Sequence, residues 1–356
     1  MNDRRAEAGV GSRTEGSGVA AGFVTAKEVL SMDTVRWGII GCGNVCEVKN
    51  GPGLYKADHS ELVAVMRRDA AAAEDYAKRH NVGRWYTDAQ KLIDDEEVDA
   101  VFVATPPSTH CEFALAVAEA GKPCVVEKPM ACTAEDCERM VNAFKAKGIP
   151  LFVQYYRRAL PRFLKVRELL RDEVIGQLTS VHIVHYGGLA TGEKAHGWRY
   201  DPKIAGAGTF YDLASHGMDV LDLLVAPVRT VSGYSINTGG SYSAEDVTVM
   251  SFLFENNVAG TGVWNFNADH GADRITFTGS LGEIQCPVFA DTNIEIKMTD
   301  GTKQSIEAPN PKHAGQPLQE TIIAELRGEG KCESTGESGL RTQRVLDACV
   351  DAYYGR

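Results

Sequence analysis

Short apolar runs that alternate with helical segments most constrain what this chain can fold into. The run VRWGIIG begins at Val35, and runs of similar apolar character follow at 61–66, 99–104 and 123–127. The segments between them have helical patterns, such as HCEFALAVAEAG, which Gly121 ends. Apolar strands that alternate with helices form parallel sheets covered on both faces. We therefore predict an α/β fold that begins with a doubly wound parallel sheet.

The second half of the chain has a different pattern. After a strand at 178–186 and a helix near 206–224, strand-like runs follow one another with short turns: TVSGYSIN, VTVMSFLF, VAGTGVWNF, RITFTG and GEIQCPVF. This spacing is typical of an antiparallel meander, and helices near 315–328 and 338–354 complete the chain. Alternate residues of VTVMSFLF do not separate into an apolar and a polar face, so we expect a neighbouring subunit to cover one face.

Length and composition divide the chain into three parts. Residues 1–32 are rich in small and charged residues and lack the apolar centre of a secretory signal, which predicts a flexible N-terminal tail. The full length of 356 residues favours two domains, each with its own core. The change in pattern places the first domain at 33–150 and the second at 151–356.

Composition also argues against several kinds of partner. The net charge is −11 without a long basic run, and no segment has the ~20 apolar residues that cross a bilayer, so neither nucleic acid nor a membrane is expected. Nine scattered cysteines without a CxxC pair favour reduced thiols and a cytoplasmic location over disulfides or a zinc site. His182 and His185 face opposite sides of a strand, so we expect no metal.

A glycine pair directly follows the first apolar run. Gly41 and Gly43 lie in GCGNVC, and Asn44 and Val45 open the segment that follows. Glycines at this point permit a tight turn and let backbone amides approach a pyrophosphate. Cys46 stands where a third glycine or alanine is usual, and a glycine pair alone occurs in many ordinary turns. After a first strand and before alternating helices and strands, the pair predicts a Rossmann dinucleotide-binding site.

The end of the second apolar run bears on the choice of cofactor. An acidic residue there, ~20 residues beyond the glycines, binds the ribose hydroxyls of NAD. Here the chain reads Met66-Arg67-Arg68-Asp69. Two guanidinium groups suit a ribose 2′-phosphate, which favours NADP. The pair also fits a solvated basic turn, and Asp69 leaves NAD possible.

Two further loops follow strands at the edge where such sheets bind ligands. TPPSTH follows the run at 99–104, and EKP follows the run at 123–127 and directs Lys128 into the crevice. Taken alone, a lysine at a strand end is more often a surface charge. The predicted cofactor contacts in these loops are Thr105, Pro106, His110 and Glu127.

The helix near 206–224 carries a polar pair on an otherwise apolar face. Asp212 and His216 lie four residues apart in TFYDLASHGMDVLDLL, which places them one turn apart on the same side. An isolated pair of this kind is more often a locally paired carboxylate and a satisfied core histidine. The function of the pair therefore depends on what the rest of the chain places beside it.

Several of these stretches together resemble the Gfo/Idh/MocA oxidoreductases. GCGN, ATPPSTH, VVEKP and WRYDPKIAGAGTFYDLASHGMDVLD carry the resemblance, which runs from about Val35 to the C-terminus. It implies a Rossmann domain followed by an α/β domain for substrate binding and oligomerisation, with a large open, mainly antiparallel sheet. Members typically oxidise or reduce sugars, cyclitols and related polyols, often as homodimers or homotetramers that associate through that sheet.

The family pattern also assigns roles to individual residues. It makes Lys128, Asp212 and His216 the catalytic set. Imidazole has a pKa of about 6.5 and suits proton transfer, a lysine stabilises alkoxide character, and Asp212 either orients the ring or binds a neighbouring hydroxyl. Asp219 also matches the pattern, and we interpret it as structural. The predicted substrate contacts, each of which also fits a structural anchor, are Tyr156, Arg157, Trp198 and Arg199.

Three functions follow from these observations. We predict an NADP(H)-dependent oxidoreductase that transfers a hydride between the nicotinamide and a CH–OH or C=O group of a sugar, cyclitol or related polyol. The first alternative keeps fold and cofactor but uses transient redox for elimination or glycoside cleavage. The second is a non-catalytic protein that senses NADP(H), against which the three catalytic residue types argue. The sequence does not separate the first two.

Overall fold

Residues 32–356, which the computed structural model describes, form two sheets. The predicted tail at 1–32 lies outside the described residues, apart from Met32. The first sheet has six parallel strands in the order β3-β2-β1-β4-β5-β6. Their bounds are β1 Val35–Ile40, β2 Ser60–Met66, β3 Arg84–Tyr86, β4 Ala100–Val103, β5 Cys124–Val126 and β6 Leu151–Val153. The predicted doubly wound parallel sheet is thereby confirmed.

The strand order of this sheet determines where a ligand can bind. The chain winds outward from β1 to β3 and then returns to β4, which pairs with β1 on its other side, so that Ile40 lies beside Val103. The loops after β1 and β4 leave in opposite directions and open a crevice at the carboxyl ends of the strands. The glycine pair and the TPPSTH loop are the two sides of this crevice.

Helices connect the strands of the first sheet, and several have clear end signals. Asp69 accepts a hydrogen bond from the N–H of Ala72, Thr133 accepts one from that of Asp136, and Gly148 ends a helix with a φ of +66°. The helices are α1 Asn44–Val48, α2 Gly53–Lys56, α3 Ala70–Arg79, α4 Ala89–Ile93, α5 His110–Glu119 and α6 Ala134–Lys147.

The GPG sequence at 51–53 divides the first crossover helix into α1 and α2. A Cβ atom at Gly51 would lie 1.9 Å from the carbonyl oxygen of Cys46, and one at Gly53 would lie 2.8 Å from Cγ of Gln319. Both glycines therefore permit close packing that no other residue allows. The turn between the helices carries Lys49 to the crevice described above.

The second sheet has eight strands in the order β14-β13-β12-β11-β7-β10-β9-β8, and all neighbours are antiparallel except β7 and β10. This confirms the large, mainly antiparallel sheet. The sequence analysis missed β13, in which Ile294 and Ile296 alternate with charged residues, and β14, which is almost wholly polar. The strands are β7 Leu178–Tyr186, β8 Val228–Ile236, β9 Val247–Phe254, β10 Ala259–Asn265, β11 Ala272–Gly279, β12 Gly282–Cys286, β13 Ile294–Met298 and β14 Lys303–Ile306.

Within the described part of the chain, helices cover one face of the second sheet and leave the other open. A Cβ atom at Gly217 would lie 2.6 Å from Ile183, so helix α9 packs directly on β7. The opposite face exposes Tyr234, Ile236 and Val249 by 73%, 51% and 40%. The helices of this half are α7 Pro161–Arg171, α8 Pro202–Ala205, α9 Thr209–Leu224, α10 Gln316–Leu326 and α11 Gly336–Tyr354. Among residues 32–356, no helix has the length and apolar character that crossing a membrane requires.

A buried ion-pair network joins the two halves where the chain leaves the first sheet. Strand β6 ends at Val153, and Tyr156–Ala159 then forms a 3₁₀ turn. Within this turn Arg158 donates to both carboxylate oxygens of Asp219 on α9 and to Asp222, which also accepts from Arg341 on α11. The network fixes α9 relative to the end of β6.

Candidate active site

A cleft of about 470 Å³ lies between the carboxyl ends of the first sheet and helix α9. Most residues predicted for the site line it, although they come from both halves of the sequence. They are Gly43, Asn44, Val45, Thr105, Pro106, Glu127, Lys128, Tyr156, Arg157, Trp198, Arg199, Asp212 and His216. Of the remaining predicted residues, Gly41 directly follows β1, Arg67 and Arg68 directly follow β2, and His110 is buried.

The glycine loop has the backbone that a bound dinucleotide requires. Gly41 has a φ of +90°, and a Cβ atom there would lie 2.7 Å from Cγ2 of Thr105 in the facing loop. At Gly43 a Cβ atom would meet only the Gly41 carbonyl oxygen, 3.8 Å away, so the space above this residue is open to a ligand. Cys46 is fully buried beneath the loop, where it fills the place of the usual third glycine.

In the part of the chain that the structure describes, the side chains that follow β2 are two arginines without an ion-pair partner and one aspartate that caps a helix. Arg67 and Arg68 are exposed, and within residues 32–356 neither guanidinium lies in an ion pair. Asp69, the alternative reader of the ribose, already accepts a hydrogen bond from the Ala72 N–H as the cap of α3. The acidic group at this edge therefore has a local structural partner, whereas the two cations do not.

His110 differs from its predicted role as a cofactor contact. It is the first residue of α5 and is fully buried, because its ring points inward between two loops. Its Nε2 lies 2.7 Å from the carbonyl oxygen of Thr105 and its Nδ1 lies 3.1 Å from that of Pro129. Burial lowers the pKa of the ring in spite of these carbonyl contacts. His110 thus holds the TPPSTH and EKP loops together and does not reach the cleft.

Glu127 and Lys128 leave β5 in different directions. Glu127 is 6% exposed, and its carboxylate accepts hydrogen bonds from the Asn50 side chain and from the backbone N–H of Lys128. Burial raises the pKa of Glu127, although the nearby charge of Lys128 opposes this shift. Lys128, which precedes a cis peptide bond to Pro129, extends into the cleft towards α9.

Lys128 and Asp212 form an ion pair across the cleft. The Lys128 ammonium contacts the Asp212 carboxylate and donates to the Asp212 carbonyl oxygen at 3.1 Å, while Arg199 Nε lies 3.4 Å from the same carboxylate. Burial is the largest single influence and opposes ionisation of Asp212, but the charge and hydrogen bond of Lys128, together with the charges of Arg199 and Lys49, outweigh it and lower the pKa. Of the two roles predicted for Asp212, orientation of the His216 ring does not fit the structure, because the carboxylate faces these two cations.

His216 is 3% exposed, and its ring lies among aromatic side chains. Its centroid is 5.4 Å from that of Tyr156 and 5.8 Å from that of Phe289, both in edge-to-face geometry. Its Nδ1 is enclosed and has no hydrogen-bond partner within the described part of the chain. Burial, followed by the positive charges of Arg157, Lys128 and Lys49, holds the pKa of His216 well below its usual range. The imidazole is therefore neutral, and one of its ring nitrogens has a free lone pair.

The sequence analysis missed several residues that line the cleft, and two of them contact the predicted site side chains Tyr156 and His216. Lys49 lies in the turn after α1, with Nζ 5.9 Å from the centre of the Tyr156 ring. Its position directly after the glycine-loop helix was a usable signal. Phe289 lies beyond β12, opposite His216, and nothing in the sequence marks it, because only the tertiary fold brings that loop to α9.

Family models match both halves of the chain. Residues 35–155 match an oxidoreductase family with an NAD-binding Rossmann fold, and residues 163–285 match the GFO/IDH/MocA C-terminal domain. The chain belongs to the Gfo/Idh/MocA oxidoreductase family. The family resemblance and the assignment as an NAD(P)-dependent oxidoreductase are both confirmed.

Individual relatives cover nearly the whole chain. Oxidoreductase P35 of Formosa agariphila is 36% identical over 316 residues, 88% of this chain and 97% of that protein. Inositol 2-dehydrogenase 2 of Saccharopolyspora erythraea is 32% identical over 334 residues, 89% of this chain and 92% of that protein. The fold is similar to that of a levoglucosan dehydrogenase in complex with NADH and levoglucosan, with a TM-score of 0.80, 21% identity, and coverage of 90% of this chain and 98% of that one.

Proposed function

We propose that this protein is an NADP(H)-dependent oxidoreductase that transfers a hydride between the nicotinamide and a CH–OH or C=O group of a sugar, cyclitol or related polyol. The observation that carries the proposal is a neutral, buried His216 beside the Lys128–Asp212 ion pair in one cleft. Such a combination provides a proton acceptor next to a cation, as alcohol oxidation requires. Relatives named as inositol and levoglucosan dehydrogenases support a polyhydroxylated substrate.

The residues of the first domain fit a nicotinamide dinucleotide. The open space above Gly43 accommodates a pyrophosphate against the backbone N–H groups that begin α1, and Thr105 and Pro106 line the facing side. At the end of β2, Arg67 and Arg68 would hold a 2′-phosphate, since Asp69 is occupied as a helix cap. When bound, the cofactor accepts or supplies the hydride.

The side chains of the cleft supply proton transfer, charge stabilisation and exclusion of water. His216 takes the hydroxyl proton at a ring nitrogen, because its depressed pKa leaves the imidazole neutral. Lys128 stabilises the negative charge that develops on the oxygen, and Asp212 fixes the direction of the Lys128 ammonium. Tyr156 and Phe289 exclude water from the His216 ring, which strengthens these electrostatic interactions.

A substrate screen that follows reduced nicotinamide by absorbance tests this proposal. Net formation of NADPH from a polyol, or its net consumption with a keto-sugar, is the expected result. Substrate turnover with the cofactor unchanged would instead favour transient redox in elimination or glycoside cleavage. Binding of NADPH without any turnover would favour the sensing function.

We further propose that copies of this chain associate as a homodimer or homotetramer through the open face of the second sheet. Tyr234, Ile236 and Val249 form an exposed apolar group on adjacent strands, with Tyr234 paired directly with Val249. A cytoplasmic location is consistent with nine free cysteines, eight of them buried.

A further inference from the structure

Arg157 is a buried cation that forms no ion pair with any acidic side chain of residues 32–356. It is 5% exposed, and its Nε donates to the carbonyl oxygen of Val288 at 2.9 Å. Its Nη1 is enclosed and has no hydrogen-bond partner within residues 32–356. The guanidinium lies over the rings of Tyr156 and Phe289, 4.8 and 4.4 Å from their centres. These rings attract the cation, but they do not replace a carboxylate in a desolvated position.

The other buried arginines of the described chain show what a structural arginine looks like here. Arg158 is in a bidentate pair with Asp219, and Arg162 is paired with Asp291 and donates to the Ala290 carbonyl. The nearby Asp273 does not fulfil this role for Arg157, because its carboxylate accepts from the backbone N–H groups of 288–290. Burial lowers the pKa of Arg157, as expected for an uncompensated cation.

The cleft as a whole also has more positive than negative charge. Four cationic side chains and two acidic ones line it, a surplus of positive charge in a chain whose net charge is −11. Both acidic groups have partners, since Asp212 pairs with Lys128 and Glu127 accepts from Asn50. Lys49, in contrast, lies in no ion pair within the described residues and is directed over the same Tyr156 ring that Arg157 contacts.

We propose that the substrate is an acidic sugar, a polyhydroxylated compound whose carboxylate binds to Arg157 and is attracted by Lys49. Because Nε donates to Val288 and Nη1 is enclosed, Nη2 is the guanidinium nitrogen left for the carboxylate, and a charged N–H···O bond of this kind is strong where water is excluded. Binding the carboxylate there would direct the rest of the sugar towards His216, whose ring contacts the same Tyr156 and Phe289 side chains. This inference rests on the proposed oxidoreductase function and names its substrate class.

Matched pairs of compounds test the inference. We would compare gluconate with sorbitol, glucuronate with glucose and galacturonate with galactose, and add glucose 6-phosphate to separate a carboxylate from a phosphate. We expect the best acidic compound to exceed its neutral partner in kcat/KM by roughly 30-fold or more, the effect of one desolvated charge pair. Equal or better turnover of the neutral partner, or of the sugar phosphate, would overturn the proposal.

Variants then test which residue causes the preference for the acidic compound. Arg157→Met should reduce the acid-to-neutral ratio by most of that factor, mainly through KM, and Arg157→Lys should retain part of it. Lys49→Met should reduce the ratio by roughly 5-fold or less, because Lys49 is exposed. If Arg157→Met weakened NADPH binding as strongly as it weakened use of the acid, Arg157 would serve the cofactor and the inference would be wrong.

A binding measurement separates this inference from the proposed function. Acidic sugars should raise the melting temperature of the parent protein more than that of Arg157→Met, whether or not turnover occurs. Such binding without any turnover would support the acid site and contradict the oxidoreductase function. Turnover of neutral sugars alone would contradict only the acid site. The absence of both turnover and acid binding would overturn both.

Discussion

Replacing Arg158 with Met should destabilise the protein far more than the same change at its neighbour Arg157. Arg158 donates to both oxygens of the fully buried Asp219 at 2.8–2.9 Å, to Asp222 at 2.9 Å and to the Glu333 carbonyl at 3.1 Å. Removing one partner of such a pair leaves an uncompensated buried carboxylate and costs about 3–5 kcal/mol. Arg157→Met removes no carboxylate contact, so we expect a change below about 1.5 kcal/mol.

Thermal unfolding of the two variants measures this difference. We expect Arg158→Met to lower Tm by roughly 5–10 °C and Arg157→Met by no more than a few degrees. Adding Asp219→Asn to Arg158→Met should recover part of the loss, because the unpaired carboxylate is then neutral. Equal losses for the two arginines, or no recovery in the double variant, would refute the assignment of Arg158 and Asp219 to a structural role.

Three further predictions concern the cofactor, the start of α9 and the open sheet. NADPH should bind at least tenfold tighter than NADH in a fluorescence titration, about 1.4 kcal/mol, and Arg67→Ala with Arg68→Ala should remove most of that preference; equal affinities in the parent would contradict it. Burial raises the pKa of Glu245, which accepts from the Gly208 N–H before α9, from 4.5 to about 7. The stability contributed by its protonated form is therefore lost as pH rises from 4.5 to about 7, by about 3 kcal/mol, whereas Glu245→Gln should not show this loss. The Tm of Glu245→Gln minus the Tm of the parent should therefore be larger at pH 8 than at pH 5. A difference in Tm that does not change with pH would contradict this interpretation. Tyr234→Glu should reduce the molar mass measured by light scattering, while Lys303→Glu at the far edge of the same sheet should not; an unchanged mass in the first variant would place the interface elsewhere.

Much of the cleft could be predicted because its parts follow regular geometry. The glycine pair, the TPPSTH loop and Lys128 all follow parallel strands, whose carboxyl ends must meet at one edge of the sheet. The spacing of Asp212 and His216 fixed their common side of α9, since a helix repeats every 3.6 residues. These predictions needed only strand order and helical period.

Other features depend on packing between distant segments. Asp212 pairs with Lys128, 84 residues away, and not with His216 in the next turn, because α9 faces the EKP loop across the cleft. His110 begins a helix beside the cleft, yet its rotamer turns the ring into the space between two loops. Phe289 reaches His216 only because the chain after β12 passes over α9. No local pattern contains this information.

The kcat of His216→Ala, expressed per folded molecule, tests the central claim most directly. If His216 is the proton-transfer group, kcat per folded molecule should fall by roughly 10²–10⁴, while NADPH affinity stays near that of the parent; a lower Tm is expected in either case, because the ring is buried between Tyr156 and Phe289. Lys128→Met should be similarly severe, and Asp212→Asn should cost less or act mainly through KM, because Asp212 positions the lysine. A normal kcat per folded molecule in His216→Ala would show that the histidine is only a core residue and would contradict the catalytic assignment.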